Sequence, residues 1–178
     1  MKVLYDWRPW QDFHGRGVAR YIDALFMKCM NLIDEEAFIL LKNNKQEPDF
    51  SAELEKKVHL RYQDDLDREM FSGEEFDVFI SGSACRLNMS PETVLDEMYP
   101  HNVLKLCRHR TVILYDFIPL FFQDYLWDEF QKVSFALQSE MLRTFDHVFT
   151  ISKFTAASAM RYIPLPKKNC PLYTVALT

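Results

Sequence analysis

Short apolar runs alternate with helical stretches along the chain. The first run, residues 2–5, is compatible with a β-strand, and a loop that contains Pro9, Gly15 and Gly17 follows it. From residue 18 onwards, apolar side chains recur at spacings of three and four, which predicts a helix with one buried face. These side chains are Val18, Ile22, Leu25, Phe26, Cys29, Met30 and Ile33. A strand, a glycine-containing loop and an amphipathic helix together form the opening unit of an α/β sheet.

The same alternation continues to the end of the chain. Further strands are predicted at residues 37–41, 58–62, 76–81, 111–116, 146–152 and 172–177. A long helix before the sixth strand carries an apolar stripe at Leu126, Phe130, Val133, Leu137, Met141 and Phe145. A later helix runs from near Ser152 to Pro164, with Ala156, Ala159, Met160 and Ile163 on one side. Apolar strands that alternate with helices predict an α/β fold, with a Rossmann-like, doubly wound, mainly parallel sheet and helices on both of its faces.

Composition and charge narrow the class of protein. The chain has 178 residues, which fits a single domain over residues 1–178. It has 26 acidic and 21 basic side chains, a net charge of -5 that disfavours a nucleic-acid partner. Neither a membrane-spanning apolar run nor a signal peptide is recognisable, so we expect a cytoplasmic protein. The four cysteines are dispersed along the sequence and are expected to be reduced.

The loop after the first strand is the first candidate binding site. Ligands of open parallel sheets bind outside the carboxyl ends of the strands. Here Gly15 and Gly17 flank Arg16 directly before a helix, where free backbone N–H groups and the helix dipole favour an anion such as phosphate. His14 and Arg20 add charge. The alternative is a plain strand-to-helix turn that uses glycine for positive φ angles.

Three other loops at strand ends carry candidate residues. Tyr115 and Asp116 end the fifth strand, where they could position a sugar hydroxyl or a phosphate oxygen, or Asp116 could cap the following helix. Ser152 and Lys153 lead into a helix, with Ser152 a candidate N-cap and Lys153 either a solvated residue or a phosphate contact. The small residues Ser81 and Gly82 suit either close ligand approach or an ordinary turn.

Three further features are less specific, and two of them leave alternatives open. Asp65 and Asp67 match the D-x-D pattern with which metal-dependent sugar transferases hold a divalent cation, but an acidic stretch produces such matches by chance. The apolar group Phe117, Phe121 and Phe122 could belong to the core or to a patch that faces a membrane. Lys105, Arg108, His109 and Arg110 precede the fifth predicted strand and are expected to form a solvated face.

Three loops in register resemble one enzyme family. They are G-R-G-V-A-R-Y at residues 15–21, V-I-L-Y-D-F-I-P-L at 112–120 and V-F-T-I-S-K-F-T at 148–155. Their order and spacing are similar to those of the N-terminal domain of group 1 retaining glycosyltransferases, family 4, of the GT-B fold. In that family two Rossmann-like lobes face each other, the N-terminal lobe binds most of the acceptor, the C-terminal lobe binds the nucleotide-sugar donor, and no metal is required.

The resemblance implies a role for individual residues. Gly15 and Gly17 would form the loop that approaches the donor diphosphate, with Arg16, Arg20, Ser81, Gly82 and Lys153 as further donor or acceptor contacts. Asp116 matches the acid of the family's central motif, and Ser152 matches its hydroxyl residue at a helix start. The position before Asp116 is histidine in many members and is Tyr115 here.

The expected protein is therefore one lobe of a two-lobed enzyme. It would transfer a hexose from a nucleoside diphosphate sugar to an acceptor hydroxyl with retention, in the synthesis of bacterial cell-surface polysaccharide or lipopolysaccharide. The expected partners are the nucleotide sugar as co-substrate, a sugar or lipid-linked acceptor, the C-terminal donor lobe that this sequence lacks, and the inner face of the membrane as a peripheral contact. No other cofactor is expected, and the chain alone should be inactive. The alternative is a complete, non-catalytic Rossmann-like domain that binds a nucleotide or phosphate.

Overall fold

The computed structural model describes residues 1–32, 35–66, 73–86, 89–121, 128–163 and 172–174. These residues fall into two compact units. The first unit takes in the chain up to Gly82 together with residues 102–109. The second takes in the other described residues.

Seven strands and nine α-helices are present in the described part of the chain. The strands are β1 (Val3–Asp6), β2 (Ala37–Leu41), β3 (Val58–Tyr62), β4 (Phe76–Ser81), β5 (Cys107–Leu114), β6 (His147–Thr150) and β7 (Leu172–Thr174). The helices are α1 (Arg8–Asp12), α2 (Gly17–Leu32), α3 (Ala52–Glu55), α4 (Gln63–Leu66), α5 (Pro91–Thr93), α6 (His101–Lys105), α7 (Ile118–Phe121), α8 (Glu129–Met141) and α9 (Lys153–Tyr162). A turn of π-helix, Val94–Met98, follows α5, and a 3₁₀ turn, Leu142–Thr144, follows α8.

The strands pair in parallel within each unit. The order is β3-β2-β1-β4 in the first unit and β5-β6-β7 in the second. Because β1 lies between β2 and β4, the strand order reverses at β1, as in doubly wound sheets. The predicted fold class, an α/β protein with a Rossmann-like parallel sheet flanked by helices, is confirmed.

The core of the first unit explains why its sequence forms these elements. Apolar side chains that alternate along β1 and β2 pack against the inward stripe of α2, namely Ala19, Ile22, Phe26 and Met30. Tyr5 and Trp7 meet the edge of the Phe26 ring, with centroids 5.1 and 4.6 Å apart. The periodicity that predicted α2 therefore corresponds to its buried face, and the helix begins at Gly17, one residue earlier than expected.

Several predicted boundaries match the structure, and some differ. The strands at residues 37–41, 58–62 and 76–81 have the predicted limits. The fifth strand was expected to begin at residue 111 but begins at Cys107, so the basic residues Arg108 and His109 lie within it, exposed to solvent. The strand extends over these charged positions although they break the apolar run. The helix α1 lies in a segment that was expected to be a loop.

The buried face of α8 is largely polar, and two residues of the predicted apolar stripe lie on its exposed side. Phe130 and Val133 are exposed, whereas Gln131, Ser134, Phe135 and Gln138 are buried. The amide of Gln138 accepts a hydrogen bond from the Arg86 backbone N–H (2.6 Å) and donates one to the Arg86 carbonyl (2.9 Å). The helix thus uses its buried amide to hold the loop after β4. Leu126, predicted in the same stripe, lies outside the described residues.

Candidate functional site

Polar residues meet at the carboxyl ends of β1 and β4, where the strand order reverses. Asp6 ends β1 and lies opposite Ser81, which ends β4. Both side chains are buried. A crevice at such a reversal is where doubly wound domains bind their ligands, because the loops after the two strands diverge there. The predicted residues Ser81 and Gly82 therefore lie at the topologically favoured position in the first unit.

A buried ion pair fixes the chain at the end of β1. The guanidinium of Arg8 donates to both carboxylate oxygens of Asp6, from Nε at 2.7 Å and from the second terminal nitrogen at 2.9 Å. Its other terminal nitrogen donates to Oε1 of Gln63, the residue that follows β3, at 3.0 Å. Both charged side chains are almost fully buried, so the two-pronged geometry compensates for their desolvation.

Sequence reasoning missed this network. The sequence pattern predicts Asp6 and Arg8 as parts of a loop and gives Gln63 no special role. The available signal was the Asp-x-Arg spacing at the end of a strand whose other residues are apolar. A charge at the end of a buried strand needs a partner, and the nearest cation in sequence supplies it.

The glycine loop leads into the sixteen-residue helix α2. Gly15 has φ +79°, a left-handed conformation that disfavours other residues, and the Arg16 backbone N–H donates to the Phe13 carbonyl at 2.9 Å. Gly17 differs, because its φ is not positive. A Cβ placed on either glycine would meet nothing within 4 Å. Arg16 and Arg20 are exposed. The turn requires a glycine at position 15. Gly17 is not required by the turn, and its lack of a side chain leaves open space in front of the helix N-terminus.

That helix start is electrostatically suited to an anion. The first turn of α2 contains no acidic side chain, so the positive end of the helix dipole is not offset by a carboxylate there. The exposed Arg16 and Arg20 add positive charge to the same turn. An anion that approached the open space at Gly17 would meet backbone N–H groups, the dipole and two guanidinium groups together.

Contacts among Trp10, His14 and Asp23 position the start of the glycine loop. The rings of Trp10 and His14 meet edge to face with centroids 4.8 Å apart. Burial raises the pKa of Asp23, while a hydrogen bond from Trp10 and the nearby His14 act in the opposite direction. The contacts link α1, the glycine loop and α2, which positions the loop against the helix that it precedes.

Gly82 is a glycine because of packing. A Cβ there would lie 2.8 Å from Cδ1 of Ile22 and 2.9 Å from the Asp6 carbonyl oxygen. The missing side chain lets α2 approach the end of β4, as helices do near the crevice of a doubly wound sheet. Gly82 therefore lacks a side chain because Ile22 and the Asp6 backbone come close to it, and no ligand is needed to explain this glycine.

In the second unit, the loops after β5 and β6 are joined by hydrogen bonds. The Thr155 hydroxyl donates to the Tyr115 carbonyl at 2.9 Å. Ser152 caps α9 by accepting from the Thr155 N–H at 3.1 Å, and the two hydroxyls lie 2.9 Å apart. The structure thus brings the predicted residues Tyr115 and Ser152 together through Thr155, which sequence reasoning did not select. Lys153 begins α9 and is exposed.

Asp116 caps the short helix that follows it. Its Oδ1 accepts from the Ile118 backbone N–H at 3.0 Å, and the side chain is half-buried. Cys85 lies close enough to be affected by its charge: burial and then Asp116 raise the pKa of the Cys85 thiol from 9.0 to about 12. Asp116 is therefore a negative charge beside a protonated thiol, with one carboxylate oxygen engaged in the cap.

The metal hypothesis depends in part on a residue that the structure does not describe. Asp65 lies in α4, and Asp67 lies outside the described residues. Within the residues that the structure describes, no three His, Cys, Asp or Glu side chains are grouped so that they could hold a metal ion.

The chain matches no protein-family model, no curated protein sequence and no solved structure. Among the described residues, no helix combines the length and the apolar character that crossing a membrane requires.

Proposed function

We propose that the chain is the N-terminal, acceptor-side lobe of a retaining glycosyltransferase of the GT-B type. The observation that carries the proposal is the open glycine loop at Gly15 and Gly17. It leads into a long helix, with the exposed Arg16 just before the helix and the exposed Arg20 and no acid in the first turn. Its resemblance in order and spacing to the family, together with the motifs at residues 112–120 and 148–155, supports the same assignment. The reaction is transfer of a hexose from a nucleoside diphosphate sugar to an acceptor hydroxyl, in the synthesis of bacterial cell-surface polysaccharide or lipopolysaccharide.

The glycine loop would act on the leaving group. As the glycosidic bond to the diphosphate breaks, negative charge develops on the phosphate oxygens. Backbone N–H groups at the start of α2 stabilise that charge when they are already oriented, because no reorganisation is needed during the reaction. Gly17 has space for a phosphate to approach the backbone, and Arg16 and Arg20 supply countercharge.

Asp116, Tyr115 and Ser152 would belong to the acceptor side. Oδ1 of Asp116 is used by the Ile118 N–H, so its second oxygen is the one that could orient a sugar hydroxyl. A tyrosine at position 115 can donate a hydrogen bond from its hydroxyl, but it does not supply the imidazole that many members of the family have there. The donor-binding lobe would supply most of the nucleotide contacts. The working place would be the cytoplasmic face of the membrane, where a lipid-linked acceptor is presented.

A second candidate is a non-catalytic domain that binds a nucleotide or phosphate. It is favoured by the capping roles of Asp116 and Ser152, since each side chain has a structural task that requires no substrate. The glycine loop would then serve regulation or storage of a bound anion and would not face a second lobe.

Nucleotide titration of the purified chain separates the two candidates. Amide resonances would be followed by NMR during addition of inorganic pyrophosphate, UDP, GDP and ADP. A lobe that contributes only the diphosphate end of the donor site should bind all four with similar weakness, at a dissociation constant of about 1 mM, and the shifts should centre on residues 15–20. A dissociation constant near 1 μM for one nucleotide would instead favour the non-catalytic domain.

Replacement of Asp116 tests the catalytic part of the proposal. Asparagine keeps an oxygen that can cap the Ile118 N–H but removes the charge, so Asp116→Asn should leave the melting temperature nearly unchanged. In the intact two-lobed enzyme we expect kcat for acceptor-dependent release of nucleoside diphosphate to fall about 100-fold. Unchanged turnover would remove Asp116 from the active site, and loss of stability together with activity would point to a structural role.

A further inference from the structure

The helix α8 presents apolar side chains on its outer side. Phe130 and Val133 are 49% and 55% exposed, respectively. Leu137 and Met141 continue this stripe along the helix and are half-buried, whereas three of the four fully buried side chains of α8 are polar. A surface helix of a soluble domain normally has the opposite arrangement, with its apolar stripe towards the core. An apolar stripe on the outer side of a helix is typical of an interaction surface.

Charged side chains lie beside the stripe in two pairs with the same order of signs. Glu129 pairs with Lys132 near the start of α8, and Glu140 pairs with Arg143 in the 3₁₀ turn that follows it, each at 2.6 Å. All four residues are exposed. At about 100° per residue, the charged side chains project along one side of the exposed surface and the apolar stripe along the other. The exposed Ala136 lies midway between the two pairs in the sequence.

The order of these charges is complementary to its own reverse. Along the chain the signs read negative, positive, negative, positive, so an antiparallel copy presents positive, negative, positive, negative. A two-fold axis at Ala136 would place Glu129 opposite Arg143 of a second copy, because both lie seven residues from position 136. It would likewise place Lys132 opposite Glu140, each four residues away. Parallel helices in register would instead bring like charges together, so the pattern favours an antiparallel partner of the same sequence.

The same axis would bring the apolar stripes together. A two-fold axis perpendicular to two antiparallel helices sets each flank of one helix beside the same flank of the other, so apolar meets apolar and charged meets charged. Phe130 lies six residues before Ala136 and Met141 lies five after it, which makes them neighbours across the axis. Val133 and Leu137 approach each other in the same way, and the small side chain of Ala136 allows the helices to come close.

We propose that α8 is the contact surface of a homodimer, in which the α8 helices of two copies pair antiparallel across a two-fold axis at Ala136. Association removes the apolar stripe from water and joins the ion pairs of both copies into two clusters of alternating charge. The contact spans residues 129–144, about 24 Å of helix, which is short for a stable interface. We therefore expect a weak dimer with a dissociation constant of about 10–100 μM. The inference goes beyond the proposed transferase activity and does not depend on it.

Sedimentation equilibrium of the purified chain tests whether it associates. Between about 1 μM and about 500 μM the average mass should rise from that of a monomer towards that of a dimer. Phe130→Ser should weaken association about tenfold or more, because the serine buries less apolar surface. The control is Phe154→Ser on α9, where the phenylalanine is 69% exposed, and it should associate as the unmodified chain does. A monomer throughout this range, or an equal loss in the two variants, overturns the proposal.

Reversal of charges tests the pairing between copies. Lys132→Glu with Arg143→Glu makes all four charges of the surface negative, and Glu129→Lys with Glu140→Lys makes them all positive. Each double variant should dimerise at least about tenfold more weakly than the unmodified chain, with a similar melting temperature. An equimolar mixture of the two should regain a dimer, since every facing charge is then opposite. Unchanged self-association of either variant, or a mixture that remains monomeric, contradicts the pairing.

A second charge variant separates local pairing from net charge. Lys153→Glu with Arg161→Glu makes on α9 the same change in net charge as the negative α8 variant. It should dimerise as the unmodified chain does. If it loses the dimer to the same extent, the effect belongs to overall repulsion and the proposed surface is wrong.

Cysteine cross-linking tests the direction of the helices. Ala136→Cys lies at the axis and should form a disulfide between copies under mild oxidation, above the background of the unmodified chain. Thr144→Cys is eight residues from the axis and exposed, so its two copies should lie about 24 Å apart and should not cross-link. Parallel helices would bring both positions together. Efficient cross-linking of Thr144→Cys, or none of Ala136→Cys, would overturn the antiparallel dimer.

Discussion

Three glycines of the candidate region are glycines for different reasons. Gly15 adopts a φ of +79°, which a side chain would strain. Gly82 has no such angle, but a Cβ there would lie within 3 Å of Ile22 and of the Asp6 carbonyl. Gly17 has neither constraint, so only function or chance explains its lack of a side chain. At the scale of single residues, Gly17 is therefore the most informative position.

Gly82→Ala should destabilise the protein because the added methyl group meets backbone as well as a side chain. Ile22 can shift, but the Asp6 oxygen belongs to β1 and can move only with the strand. We expect the free energy of unfolding to fall by about 1–3 kcal/mol, measured by urea denaturation. A loss below a few tenths of a kcal/mol would mean that α2 does not pack as closely on the end of β4 as described.

Cys85 should resist alkylation until unusually high pH. Burial, and next the charge of Asp116, raise its pKa from 9.0 to about 12. Iodoacetamide reacts with the thiolate, so peptide mapping of the folded protein should show Cys85 unmodified at pH 9. Since the folded state holds this proton more tightly than the unfolded state, the stability it contributes is present below pH 9 and is lost as the pH rises towards 12. Asp116→Asn should move the onset of alkylation to lower pH. An unchanged onset would mean that the charge of Asp116 does not act on the Cys85 thiol.

At the scale of elements, long periodic segments were predictable and short ones were not. The spacing of apolar residues predicts α2, the continuous apolar run predicts β2, and an alternating run and a β-rich run predict β3 and β4 with their observed limits. α2 and β2 bury an apolar face, whereas the side chains of β3 are only partly buried. α1 spans only five residues and has no room for a repeat.

The helix α8 shows a different limit of sequence reasoning. Its stripe of apolar residues faces solvent at Phe130 and Val133, and its buried side carries Gln138. A buried glutamine is stable there because both of its polar atoms bond to the backbone of Arg86, 52 residues away. No local pattern contains a partner that distant, so the orientation of the helix could not be derived from the sequence.

The ion pair between Asp6 and Arg8 should be important for stability. Asp6→Asn leaves the fully buried guanidinium of Arg8 with a weaker partner, and removal of one member of such a pair costs about 3–5 kcal/mol. Glu75→Gln is the matched control, because Glu75 pairs with Arg108 at the surface and its loss should cost less than about 1 kcal/mol. Chemical denaturation of both variants measures the difference. Equal effects would show that the Asp6 pair is solvated.

At the scale of the whole molecule, the sequence was sufficient for the fold class but only selected candidates for the site. The parallel strand orders place Asp6 and Ser81 side by side at the ends of β1 and β4, as doubly wound topology requires. The roles of Asp116 and Ser152 as helix caps were foreseen as alternatives, and both caps are present. The partners Gln63, Cys85 and Thr155 were not foreseen, because their contacts depend on residues from 3 to 55 positions apart and, for Cys85, on burial.

The most direct test of the account compares pyrophosphate binding by the unmodified chain and by Gly17→Ala. Alanine meets no atom within 4 Å and restricts the unfolded chain, so the variant should be more stable by about 0.4–1 kcal/mol. If the open space admits a phosphate to the start of α2, calorimetric titration should show at least about fivefold weaker pyrophosphate binding despite that gain in stability. Equal affinity in the two proteins, or no binding by the unmodified chain, would contradict the assignment of the glycine loop as a diphosphate site.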